Sequence, residues 1–233
     1  ELDPTESAAF TTLENWDYNM SKDEVAPAVF EFFTKSFAKN LLSDELGDLY
    51  DKLPASVSDY YIFHVLKTGP DQWVDDVNTP QAETLDDIIF RSFKDEVRTL
   101  SSDYGHDPDK WTWGRIHTIS LEHPLGVKKI LDRIFKLNSH RYPIGGSNHT
   151  VCPYSYTTGF RVNDGASERH IFNTADWDES YTVIPDGNSG VPSSEFYLSQ
   201  TKTYLEGGFY RDAFSDEAVK AGVRYTLKLV PSN

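Results

Sequence analysis

The sequence predicts an α+β protein: a helical N-terminal layer, then antiparallel strands. Three observations carry this. Apolar residues recur at helical spacing through residues 21–100. After residue 105 the pattern shifts to short alternating runs broken by Gly, Pro, Asn and Asp. The charge divides at the same place: residues 1–105 carry 22 acidic and 8 basic side chains, residues 106–233 carry 15 and 14. Helices followed by strands, rather than alternating with them, describe helices layered on one face of a sheet. We divide the chain into an acidic helical segment, 1–105, and a mixed strand and helix segment, 106–233, continuous with each other. The first reads as a solvated outer layer, the second as a more buried sheet region.

The elements follow in order. Residues 1–20 show no clear periodicity. Ser21-Lys22-Asp23-Glu24 has the form of a capping box, opening a helix whose core face is Val25, Val29, Phe32, Phe33, Phe37 and Leu41. Pro27 falls in its first turn, where a missing N–H is harmless. Residues 44–66 hold one or two shorter helices. Thr79-Pro80 looks like an N-cap with Pro at the first helical position. Leu85, Ile89, Phe93, Val97 and Leu100 mark a second strong helix, stopped at Gly105. Residues 128–137 form a short helix. Residues 150–156 alternate weakly. Residues 160–162 and 169–172, around Asn163-Asp164-Gly165, read as a β-hairpin. Residues 181–184 are a further strand, 196–205 a helix, 215–221 a short capped helix. Residues 223–230 alternate Val223, Tyr225, Leu227 and Leu229 with Arg224, Thr226 and Lys228, a half-buried strand.

Composition excludes some functions. A net charge of −15 opposes nucleic-acid binding, which needs a basic surface. Mean hydropathy is −0.53, and no apolar run reaches the ~20 residues of a membrane span. The opening residues Glu1-Leu2-Asp3-Pro4 show neither the basic nor the apolar region of a signal peptide. The single Cys152 excludes an internal disulfide and a Cys-based zinc site, and reads as a small buried hydrophobe.

The densest stretch for chemistry is 111–150, with two tryptophans, a His-Pro corner and paired glycines. His117 and His123 lack a carboxylate at metal-site spacing and read as structural hydrogen-bonders. Trp111 and Trp113 read as core anchors, and Gly145-Gly146 as a tight entry into a central strand. Asp176-Trp177-Asp178-Glu179 lacks calcium-loop spacing and reads as a turn whose carboxylates cap amides while Trp177 packs inward. No dinucleotide fingerprint, phosphate loop or nucleophile elbow is present.

These motifs resemble, in order, the end of the β-chain of penicillin acylases, a family of N-terminal-nucleophile hydrolases. Trp111-Thr112-Trp113-Gly114-Arg115-Ile116-His117 resembles its Trp-x-Trp-Gly-x-x-His segment, and His123-Pro124-Leu125 its His-Pro-Leu. Gly145-Gly146-Ser147-Asn148-His149-Thr150-Val151 resembles Gly-Gly-Asp-Gly-x-Thr-Val, with Ser147 and Asn148 as departures. Asp176-Trp177-Asp178-Glu179-Ser180 resembles its Asp-Trp-Asp-x-Ser turn. Asp186-Gly187-Asn188-Ser189-Gly190 resembles Pro-Gly-Gln-Ser-Gly, with Asn188 for Gln, and residues 214–231 fit the family's end.

The resemblance implies an αββα sandwich and an amidohydrolase acting through an N-terminal Ser acyl-enzyme. It implies that this chain is the C-terminal portion of the β-chain, inactive alone, with residue 1 a Glu rather than the nucleophile. The oxyanion-donor Asn and the Arg after it lie upstream, so no catalytic, cofactor-binding or metal residue is assigned here. Calcium, where family members bind it, also sits upstream. The implied partners are the rest of the β-chain, the α-chain and a small amide substrate, with no nucleic acid and no membrane. The implied location is periplasmic or secreted. Gly146-Ser147-Asn148 mimics the family's processing junction, but cleavage there leaves only 87 residues, too few for the nucleophile's fold. The alternative from another class is a non-catalytic glycan-binding module using exposed aromatics.

Overall fold

A computed structural model describes residues 1–70, 73–157 and 159–231. The chain is mixed helix with small antiparallel sheets, gathered into two compact units. One unit comprises Glu1–Ile119 and Tyr142–Asp164, the other Ser120–Arg141 and Gly165–Asn233.

In the first unit, α1 (Pro4–Glu14) was not foreseen. Its signal is nonetheless local. Asp3 Oδ1 accepts from the Thr5 and Glu6 amides, Glu6 Oε2 accepts from the Asp3 amide, and Pro4 occupies the first turn. The long helix α2 (Ala26–Leu46) starts later than the Ser21 box predicts. Ser21 Oγ accepts from the Asp23 amide instead, closing a turn. The Lys22 and Glu24 carbonyls take the Gly114 and Trp113 amides at 2.7 and 2.8 Å, so this backbone is committed to a distant segment and cannot wind into a helix. α3 (Ala55–Thr68) follows a 3-10 turn at Gly47–Lys52.

The helix α4 (Leu85–Tyr104) is capped by Thr84, not by Thr79-Pro80. Thr84 and Asp87 form the reciprocal box, whereas the Thr79 hydroxyl donates to Glu83 and to the Gln81 carbonyl within a loop. Gly105 ends α4 at φ 96°, as foreseen. The short α5 (Trp113–Ile116) leads into β1 (Thr118–Ile119), paired antiparallel with β2 (Tyr142–Pro143).

Two cores lie in this unit. One joins Val29, Phe32, Phe93, Val97 and Leu100 to Trp111, Trp113, Tyr156 and Phe160; the other joins Phe37, Leu41, Ile62, Val65 and Ile88. The acidic helical segment is therefore where most of the core sits, not a solvated outer layer. Net charge records the outer faces of amphipathic helices and is blind to their inner stripes.

The second unit holds α6 (Lys129–Phe135) and a three-stranded sheet of β3 (Arg169–Ile171), β4 (Ser180–Val183) and β5 (Tyr210–Asp212), in the order β3-β4-β5. His170 faces Thr182, and Thr182 faces Tyr210. α7 (Thr201–Leu205) covers only the last part of the helix predicted over 196–205; α8 (Asp216–Gly222), capped by Ser215, matches expectation.

Three strand expectations fail. The hairpin around Asn163-Asp164-Gly165 does not form. Val162 bonds to Thr118, and Asn163 and Asp164 exchange bonds with Ser155, all in the first unit, while Arg169–Ile171 pairs in the second. Residues 150–156 and the Gly145-Gly146 entry make only isolated bridges, Ser147 to Pro153 and Ser155 to Asp164. Residues 223–230 are exposed and make no ladder. Alternation specifies two faces, but a strand exists only when another strand takes its N–H and C=O groups.

Candidate functional site

The first unit contains a cavity of about 1010 Å³, walled by apolar side chains of α2, α3 and the segment between α1 and α2. Its polar groups come from α2, the 3-10 turn Gly47–Lys52 (Tyr50 and Asp51), α3 and the loop 147–157. The loop is held by its glycines. Gly146 sits at φ +77°, and a Cβ there would lie 2.4 Å from the Cys152 carbonyl; one on Gly145 would lie 2.5 Å from the Met20 carbonyl. The Gly146 amide donates to Met20 and its carbonyl accepts from Trp113 Nε1 at 2.8 Å. Beyond it Thr150 Oγ1 accepts from the Ser147 amide and donates to the Cys152 carbonyl, and Asn148 Oδ1 accepts from the Tyr156 amide.

This places Ser147, His149 and Tyr156 opposite two charged residues on α2. Glu31 is buried, and the Tyr156 hydroxyl donates to its carboxylate. Burial raises the Glu31 carboxyl above its ordinary value, against the opposing hydrogen bonds of Tyr156 and Ser147 and the nearby His149 and Lys35. Burial likewise raises the Tyr156 phenol, and the Glu31 charge adds to it. Lys35, one turn along, lies 3.5 Å from the Phe160 ring centroid and 4.8 Å from that of Tyr156. Burial lowers it to about 8, against the pull of Glu31 and Asp59. The His149 Nε2 meets Asp59 Oδ2 at 3.1 Å.

Chemically the cluster is a buried acid with a phenol donor, beside a cation on aromatic faces. The Ser147 hydroxyl, almost wholly buried, faces Glu31 and accepts from the His149 amide at 3.4 Å, while the His149 ring is turned to Asp59. Sequence reading missed Glu31, Lys35, Asp59 and Tyr156. A signal was present: Ala28, Glu31, Phe32 and Lys35 share one i, i+3, i+4, i+7 stripe, so two charges interrupt an inward-facing row.

The residues singled out by sequence fall as follows. Trp111 and Trp113 are fully buried. His117 stacks on Trp113 with centroids 4.5 Å apart, and its Nδ1–H donates to the Phe160 carbonyl at 2.7 Å. Burial lowers His117 to about 4. His123, in the second unit, accepts from the Leu125 amide through Nδ1. Asp176 and Asp178 cap amides, Asp178 taking those of Phe214 and Ser215 at 2.7 and 2.8 Å. These bonds, that of Ser215 foremost, hold the Asp178 carboxyl below its ordinary value. Trp177 does not pack inward; it is exposed, in a row with Phe172 and Phe214. Cys152 is exposed rather than buried, because its carbonyl, not its side chain, turns inward to Thr150 and Tyr154. Among the described residues, no three His, Cys, Asp or Glu side chains gather as a metal site, and no helix is long and apolar enough to cross a membrane.

Residues 1–221 match the family model described as penicillin amidase. The chain belongs to the penicillin amidase family. Among its curated relatives, acyl-homoserine lactone acylase QuiP of Pseudomonas syringae pv. syringae (strain B728a) is 28% identical over 210 residues, 86% of this chain and 25% of that protein. Penicillin acylase 2 proenzyme of Pseudomonas sp. (strain SE83) is 29% identical over 235 residues, 95% of this chain and 28% of that protein. Among solved structures, a thermostable penicillin G acylase from Alcaligenes faecalis, in its orthorhombic form, aligns with all of this chain and 44% of its own at 15% identity and a TM-score of 0.49. The chain spans about a quarter of the length of the curated relatives it matches. In this penicillin amidase family chain, the Trp113–His117 stack and the Gly145-Gly146 turn are each tied by hydrogen bonds to other segments of the first unit.

Proposed function

We propose that the protein to which this chain contributes hydrolyses acyl amide bonds through an acyl-enzyme on an N-terminal Ser, and that this chain is the C-terminal portion of its β-chain. The family match over residues 1–221 carries the reading. In that reaction the α-amino group of the Ser, acting through water, takes the proton of its own hydroxyl. The oxygen attacks the amide carbonyl, donors stabilise the oxyanion, the amine leaves, and water releases the acid. All of these groups lie outside this chain in our reading. What the chain supplies is framework: helices and strands that complete an αββα sandwich with the rest of the β-chain and the α-chain. The nucleophile and its donors need no metal from these residues. A periplasmic or secreted location goes with the family resemblance.

The test is reconstitution. The purified chain should not release nitroaniline from a phenylacetyl or long-chain acyl anilide, and expression with the remainder of its precursor should restore turnover. Turnover by the chain alone would sink the inactive-framework reading; an intact precursor inert on every acyl amide would sink the enzyme assignment.

One observation favours a second reading, a glycan-binding module. Trp177 lies 5.6 Å from Phe214 and 6.4 Å from Phe172, ring centroid to centroid, and all three rings are exposed. Saturable oligosaccharide binding, abolished by Trp177→Ala, is the result that reading requires.

A further inference from the structure

We propose that the cavity of the first unit binds an amphipathic anion, an acidic head group on a long apolar body, with Lys35 receiving the head. The proposal is independent of the amide-hydrolase reading. The apolar wall, including Trp16, Phe30, Phe33, Ile62 and Phe63, and the volume of about 1010 Å³ suit a bulky or long-chain ligand. The charge argument selects the head group. The two acidic groups whose charge acts on Lys35 already have partners. Glu31 accepts from the Tyr156 hydroxyl and is hydrogen-bonded by Ser147, and Asp59 meets His149. The Lys35 ammonium, by contrast, makes neither a hydrogen bond nor an ion pair among the described residues; its contacts are the faces of Phe160 and Tyr156. A partly buried ammonium with no hydrogen-bond partner among the described residues, set at an apolar wall, favours a ligand that brings its own negative charge. An apolar body alone would cover the wall and leave Lys35 further desolvated. A cationic head would add repulsion.

The experiment is calorimetric titration of the 233-residue chain with dodecanoate, dodecanol and dodecylammonium below their aggregation limits. Dodecanoate should bind saturably at one site, about tenfold or more tighter than either of the others. Lys35→Met should remove that preference, while Lys39→Met, which deletes an exposed charge at the same cavity, should keep it. A measurement on the unaltered chain guards against misfolding of the variant. Dodecanoate should slow acetylation of Lys35 by acetic anhydride several-fold, read by peptide mass spectrometry, and leave Lys39 little changed. No saturable binding, equal binding of the three amphiphiles, or equal protection of the two lysines would overturn the proposal.

Discussion

Glu96 has no exposed surface, and burial raises its carboxyl well above its ordinary value, against a smaller opposing influence from the Phe33 backbone. A carboxyl whose pKa is higher folded than unfolded stabilises the fold fully below about pH 4.5. That contribution is lost as pH rises towards the folded value. Glu96→Gln should therefore gain stability relative to the parent as pH rises from the unfolded value, by at most ~1.4 kcal/mol per pH unit in chemical denaturation. A constant difference across pH would refute it. His117 has the opposite sign. Its pKa falls from 6.5 to about 4 on folding, so its contribution is complete above 6.5 and is lost as pH drops through 4. His117→Gln should be ~1–3 kcal/mol less stable near neutrality, since it disturbs the bond to Phe160. The gap should narrow between pH 6.5 and 4. Both residues are visible in sequence, but only His117 has a local pattern that reads as structural. Glu96 sits in the stripe with Phe93, Val97 and Leu100, and the period alone does not say whether a polar member of such a row turns inward.

Capping separates what local sequence specifies from what it merely permits. Ser21-x-x-Glu24 and Thr84-x-x-Asp87 look alike, yet only the second closes a box on a helix. Thr84→Ala should cost about 1 kcal/mol, and Ser21→Ala less than about 0.5 kcal/mol, in urea denaturation. Equal effects would contradict the boundaries described for α2 and α4. The glycine turn makes a sharper prediction. Gly146→Ala puts a Cβ 2.4 Å from the Cys152 carbonyl at a positive φ, so it should destabilise by more than about 1 kcal/mol. The same change at Gly190, which has open space and no positive φ, should be close to neutral. Helices were legible because their apolar period is local: Val29, Phe32, Phe37 and Leu41 are buried as the spacing required. Strands were not. Asn163-Asp164-Gly165 has ideal turn chemistry, but Asp164 is held by Ser155 and the chain passes into another unit at Gly165.

At the scale of the molecule, a net charge of −15 should make stability rise with salt, because screening relieves self-repulsion. Raising ionic strength from about 0.01 M to about 0.15 M, which shortens the Debye length from ~30 Å to ~8 Å, should raise the thermal midpoint; a fall would show that ion pairs such as Arg91–Asp76 dominate instead. The family was readable from ordered motifs, because Trp113, His117 and the Gly145-Gly146 pair are specified by close backbone approaches that few residues satisfy. The cavity was not readable. Glu31 and Lys35 meet Tyr156 and Asp59 across more than 20 positions of sequence, and desolvation and Coulomb interaction depend on distance in space rather than along the chain. Sequence by itself determined the family, the helical faces and the burial of Trp111 and Trp113, since each is written in local spacing. Tertiary structure alone decided which capping boxes close, which alternating runs find a strand partner, and which charges lie buried around one cavity, since each depends on segments that only folding brings together.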